Sequence, residues 1–175
     1  MKQGFVKVAA ASCAVVVADV RENTRVILET IHKMEGEGAK VMVLPELALT
    51  GYTCSDLFWQ SQMIDAAKEG LKEIADGTKE TDALIFVGLP WEQGGKLFNV
   101  AAVLCHGELL GIVPKKYLPN YNEFYELRHF TPGKEAVTTT DFFGKDVPFG
   151  MNLLFRCAEM PRLKVAAELC EDLWT

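Results

Sequence analysis

Apolar residues along this chain fall into two kinds of pattern, dense short runs and series spaced at helical intervals. Phe5 to Val17 is crowded with valine and alanine and lacks clean alternation, which predicts a strand buried on both faces. Val20, Ile27, Ile31 and Met34 then recur on one helical face, with Asp19 and Glu22 in a capping-box arrangement and Gly36 and Gly38 supplying the stop. Lys40 to Leu44 reads as a second strand, closed by Pro45. Ser55 and Asp56 are expected to cap a second helix carrying Leu57, Ile64, Leu71 and Ile74 and ending at Gly77. Ala83 to Leu89 predicts a third strand ending at Pro90, and Phe98 to Cys105 with Leu109 to Val113 a hairpin around His106-Gly107-Glu108. Further on, Val137 to Phe143 suits a short edge strand or a turn, Met151 to Phe155 is strand-like, and Lys164 to Leu169 reads as a last buried strand. Strands alternating with helices define an α/β class, and with no internal repeat or linker a single domain over residues 1–175 is expected.

Composition narrows the function. Hydrophobic residues make up 49% of 175 positions, ample for a sizeable core. With 18 basic and 24 acidic side chains the net charge is −6, which disfavours nucleic acid and anionic membrane and directs attention to a small-molecule substrate. The same acidic, apolar-rich composition is compatible with assembly, and a homo-oligomer is expected. Five cysteines, at positions 13, 54, 105, 157 and 170, form no CxxC pair, so neither a disulfide framework nor a metal site is indicated and a reducing cytoplasm fits best. The amino terminus has no signal-peptide layout and no apolar run long enough to span a bilayer. Gly94-Gly95-Lys96 is followed by leucine where a phosphate-binding loop requires Ser or Thr, which argues against a nucleotide site there.

Three apolar runs each end on a reactive residue type: Glu46 after Leu44-Pro45, Lys115 after Val113-Pro114, and Cys170 after Glu168-Leu169. Taken singly, a cysteine is commonly inert packing and an acid or lysine a solvated charge. Taken jointly, a base, a cation and a thiol at strand ends suit acyl transfer, because sites in open α/β folds gather at carboxyl ends of strands. Lys115 and Lys116 must point to opposite sides, so only one can face the thiol. A cysteine–histidine pair is the competing scheme, and only His129 lies in a candidate pocket loop. That loop, with Tyr117, Tyr121, Phe124, Tyr125 and Phe130, suits either a pocket wall or a plug over the core.

Three blocks carry a resemblance: Pro45-Glu46-Leu47-Ala48-Leu49-Thr50-Gly51-Tyr52; Pro114-Lys115-Lys116-Tyr117-Leu118-Pro119-Asn120-Tyr121-Asn122-Glu123-Phe124-Tyr125-Glu126; and Glu168-Leu169-Cys170-Glu171-Asp172-Leu173-Trp174. Together they resemble the signatures of the nitrilase (carbon–nitrogen hydrolase) superfamily, and within it the glutaminase domains of glutamine-dependent NAD synthetases. The resemblance runs from Val6 to Trp174. It implies a nitrilase-like four-layer αββα sandwich, present here only in part because the chain stops five residues after Cys170. It also implies Cys170 as nucleophile, Glu46 as proton carrier, and Lys115 with the backbone amide of Glu171 as oxyanion donors. Glu123 is implied as the supporting carboxylate, with Glu126 as the alternative, and Tyr121, Glu171 and Trp174 as contacts to L-glutamine. By the same resemblance this part needs no cofactor. ATP, Mg and deamido-NAD are expected in a C-terminal ATP-dependent synthetase domain that receives the ammonia. The alternatives are a stand-alone amidase or nitrilase acting on another small amide, and an inert binding module.

Overall fold

The computed structural model describes residues 4–174. Its strands are β1 (Val8–Ala10), β2 (Val41–Val43), β3 (Leu84–Gln93), β4 (Lys96–Cys105), β5 (Glu108–Pro114), β6 (Thr138–Phe142), β7 (Lys145–Phe149), β8 (Phe155–Arg156) and β9 (Lys164–Val165). The helices are α1 (Val20–Gly36), α2 (Ser61–Gly77) and the short α3 (Glu126–His129), with 3-10 turns at Ser55–Trp59 and Cys170–Leu173. Seven strands form one mixed sheet in the order β1-β2-β3-β4-β5-β7-β6, while β8 and β9 pair separately. β1, β2 and β3 run parallel, β3, β4 and β5 form an antiparallel meander, and β7 joins β5 in parallel.

The alternation of side chains divides the sheet into two unlike faces. On one, Met42, Ile85, Val87, Leu89, Ala102, Leu104 and Ile112 pack against Ile27 and Ile31 of α1 and Leu71 and Ile74 of α2 as one buried cluster. On the other, Phe86, Ala101, Val103 and Val113 meet Leu153, Phe155, Val165, Ala167 and Leu169. Cover on this second face is incomplete, for Val8 is 67% and Val43 44% exposed. The architecture is mixed α/β with a large central sheet, as in nitrilase-like folds.

Several expected elements come out differently, each for a local reason. The Phe5–Val17 run yields only the three residues of β1, half exposed at the sheet edge. Beyond it the backbone of Val16 bonds to the side chain of Asn23 instead of to a strand. Asp19 does cap α1, accepting from the Glu22 N–H at 3.0 Å, but the Glu22 carboxylate turns to Arg25 and leaves the box half made. The second helix splits, since extended backbone at Gln60 separates the Ser55–Trp59 turn from α2, and Asp56 pairs with Arg128.

β3 does not end at Pro90. The Asn99 carbonyl accepts from the Lys115 N–H, so Pro90, opposite Asn99, lies at a non-hydrogen-bonded pair and costs the ladder no donor. Gly94 and Gly95, both at positive φ, make the two-residue turn into β4. Of Met151 to Phe155 only Phe155 enters a strand, and the Lys164–Leu169 run gives only the two residues of β9, half exposed instead of buried.

Candidate active site

The carboxyl-terminal ends of β2 and β5 and the segment that follows β9 meet on the incompletely covered side of the sheet. After β2, Pro45 stops the strand and a tight turn follows, with Leu47 at φ +51° and the Gly51 N–H bonded to the Leu47 carbonyl. The turn is pressed against β3 at Gly88, where a Cβ would stand 2.4 Å from the Pro45 carbonyl oxygen and 2.5 Å from the Leu47 nitrogen. Only glycine admits that approach, and the approach aims Glu46 across the sheet.

Lys115 follows the last residue of β5 and is fully buried. Its Nζ donates to Glu46 Oε1 and Glu126 Oε1, each at 2.7 Å. Glu126, 3% exposed at the start of α3, also accepts from the Tyr52 hydroxyl at 2.7 Å. Asn99 of β4, also buried, donates its amide to Glu46 at 2.6 Å and to Glu126 at 3.4 Å, while its Oδ1 has no partner among the described residues. A buried ammonium is tolerable because two carboxylates surround it. Burial works against the Lys115 charge, yet the bonds it donates to Glu126 and Glu46 outweigh it and hold the lysine above its ordinary value. Burial likewise pushes the Glu126 carboxyl up, against the pull of Lys115 and Tyr52.

Cys170 opens the closing 3-10 turn with φ +48°, a left-handed conformation costing roughly 1–2 kcal/mol for an L-residue. The kink brings its exposed thiol to a cavity of about 320 Å³ lined by Glu46, Gly88, Phe86, Ala101 and the Val165–Leu169 segment. Burial raises the thiol's pKa, Lys115 lowers it, Glu46 and Glu126 raise it, and a bond from the Glu171 backbone lowers it. The net direction is upward, so the thiol at neutral pH needs a base to become a nucleophile. Glu46 shares its cavity.

The structure thus brings Glu46, Lys115 and Cys170 together. It does not bring Glu123 to them. Glu123 is exposed, and the carboxylate on Lys115 is Glu126, three residues further on, because α3 turns that side chain inward. Tyr121 donates to Glu171 at 3.0 and 3.2 Å beside the thiol, and Trp174, which caps the 3-10 turn, is 75% exposed and does not line the cavity. Lys116 points outward, near Glu135 and over the Tyr117 ring. His129 packs on Phe58, Trp59 and Phe130 and lines a different cavity, with Tyr52 and Glu126, so it is not the partner of Cys170. Asn99, Tyr52 and Asp172 were missed by the sequence reading. Asn99 alone left a signal, as a polar residue inside the otherwise apolar Phe98–Cys105 run that must find a buried partner.

Residues 7–175 match the carbon-nitrogen hydrolase family. The chain belongs to that family. Within it, the chain is similar to the glutamine-dependent NAD(+) synthetase of Mycobacterium tuberculosis, at 35% identity over 99% of this chain and 26% of the relative. The enzyme of the same description from Aquifex aeolicus is 32% identical over 90% of this chain and 24% of its own length. The chain therefore spans about a quarter of the length of these curated relatives. Among solved structures, a glutamine-dependent NAD(+) synthetase from Cytophaga hutchinsonii superposes with TM-score 0.88 at 29% identity, covering 95% of this chain and 28% of that one. An amidase from Nesterenkonia sp., carrying acrylamide added at its active site cysteine, shares the fold at TM-score 0.64 and 22% identity, over 82% of this chain and 56% of that one. No helix among the described residues is long and apolar enough to cross a membrane.

Proposed function

We propose that this chain is the glutamine-hydrolysing part of a glutamine-dependent NAD synthetase. The observation that carries the reading is a fully buried lysine bonded to two carboxylates, one of which shares a cavity with a cysteine thiol. In the proposed cycle Glu46 takes the Cys170 proton, and the thiolate attacks the side-chain carboxamide carbon of L-glutamine. The tetrahedral oxyanion is held by Lys115 Nζ and the Glu171 N–H. Glu46 returns the proton to the leaving nitrogen, ammonia departs, and a cysteinyl thioester remains. Water, deprotonated by Glu46, then attacks the thioester and releases glutamate with the thiol restored. Glu126 and Asn99 keep Lys115 and Glu46 in register throughout.

The Glu171 carboxylate, oriented by Tyr121, offers a negative group beside the thiol for the α-ammonium of an amino-acid substrate, with the exposed Trp174 as a further contact. Ammonia would pass to an ATP-dependent synthetase part of the same enzyme, where ATP, Mg and deamido-NAD belong. The reading is tested on the protein as its source produces it, by measuring ammonia and glutamate from glutamine against ammonia from simple aliphatic amides. Equal ammonia and glutamate, a strong preference for glutamine and loss of both in Cys170→Ala are expected. Better turnover of aliphatic amides would favour a stand-alone amidase, and no turnover of either would favour an inert module.

A further inference from the structure

Asp172 has no role in the proton and acyl transfers above, yet its side chain gathers backbone groups from both sides of the site. Its Oδ1 accepts from the N–H of Lys116 at 3.0 Å and of Tyr117 at 2.8 Å, and its Oδ2 accepts from the N–H of Leu169 at 3.3 Å. The Asp172 N–H in turn donates to the Leu169 carbonyl at 3.1 Å. One carboxylate therefore ties the residue after Lys115, 56 positions before Asp172 in sequence, to the residue before Cys170.

Packing of Ala167 and Leu169 against the sheet anchors the approach to Cys170, and its backbone is placed by Asp172. β9 ends at Val165, and residues 166–169 belong to no strand, so the approach to Cys170 is not held in a ladder. Cys170 itself sits in the left-handed region, which persists only where neighbours impose it. Asp172 closes the 3-10 turn around it from both backbone directions, while the adjacent Glu171 meets Tyr121 from the same loop. We infer that Asp172 is a positioning residue for acyl transfer, setting the placement of the Cys170 thiol relative to the Lys115 ammonium. This rests on the glutaminase reading.

The test uses Asp172→Asn, which keeps the size and one acceptor, and Asp172→Ala, in the protein as its source produces it. Three quantities are followed: glutamine turnover, alkylation of Cys170 by iodoacetamide, and melting temperature. Measured on the alkaline plateau of its pH profile, alkylation needs only a reachable thiolate, whereas acyl transfer needs the thiol and the lysine in register. The expected result is a fall in kcat of roughly 10- to 100-fold, larger for Ala, with KM and the alkylation rate changed no more than about twofold. Unchanged kcat in both variants overturns the inference. So does a parallel loss of kcat, alkylation and folded protein, which would make Asp172 merely structural; if the Ala variant does not fold, the Asn variant decides. Wild-type protein that does not hydrolyse glutamine overturns the glutaminase reading itself.

Discussion

Lys115 carries the largest electrostatic burden of any side chain in the site. It is fully buried, and its charge is held by Glu46 and Glu126 at equal distances of 2.7 Å. Replacing it with methionine leaves two carboxylates facing each other in a poorly solvated place, a change expected to cost on the order of 3–5 kcal/mol of stability. Glutamine turnover should fall by roughly 10³-fold or more through loss of the proposed oxyanion donor, read from kcat in any variant protein that remains folded. Glu126→Gln should lower kcat by roughly 100-fold, whereas Glu123→Gln should stay within about twofold. Equal effects at the two positions would contradict the geometry. Burial places the Cys170 thiol above its ordinary pKa, so thiolate is scarce below that value and accumulates only above it. Alkylation of the free enzyme by iodoacetamide should therefore still be climbing above about pH 9 instead of levelling there. Lys115→Met, which removes the group pulling the thiol down, should move the profile to still higher pH.

At this scale the sequence was readable where a residue type is rare at its position. Glu46, Lys115 and Cys170 each close an apolar run, and such runs end at sites in sheet proteins. The choice between Glu123 and Glu126 was not readable. Both stand in one aromatic loop, and the difference is made by a single helical turn whose N-terminal residue, Glu126, is drawn in by Lys115 and Tyr52 from elsewhere in the chain.

Among the elements, the turn after β2 depends most on one small residue. A methyl group at Gly88 would collide with backbone atoms of Pro45 and Leu47, which cannot move aside as a flexible side chain would. Gly88→Ala should cost about 1–3 kcal/mol of stability and displace Glu46. The check is a lowered melting temperature accompanied by a loss of kcat in the protein that remains folded. A loss of stability with unchanged kcat would separate the turn from the chemistry. The two long helices were legible because a 3.6-residue period over some four turns has no competing explanation. The ends of the chain were not. A short apolar run records that its residues avoid water, without recording which strand they pair with, so Phe5–Val17 and Lys164–Leu169 were both read as longer and more deeply buried than they are.

For the molecule as a whole, the two sheet faces differ in cover. Helices close one face, while the other is closed only by residues around Leu153 to Leu169 and leaves Val8 and Val43 in contact with solvent. The polypeptide 1–175 should bind a dye for apolar surfaces, and Val8→Lys combined with Val43→Lys should lower that binding. Equal binding would show that this face is not the vulnerable one.

The proposed chemistry depends on one cysteine, Cys170, reached by one kind of substrate. The most direct measurement is the intact mass of the source-produced protein before and after exposure to a glutamine-mimicking electrophile, beside the Cys170→Ala variant. A single adduct, suppressed by excess glutamine and absent from the variant, is the expected result. An adduct that survives Cys170→Ala, or no adduct on protein that hydrolyses glutamine, would contradict the placement of the nucleophile at Cys170.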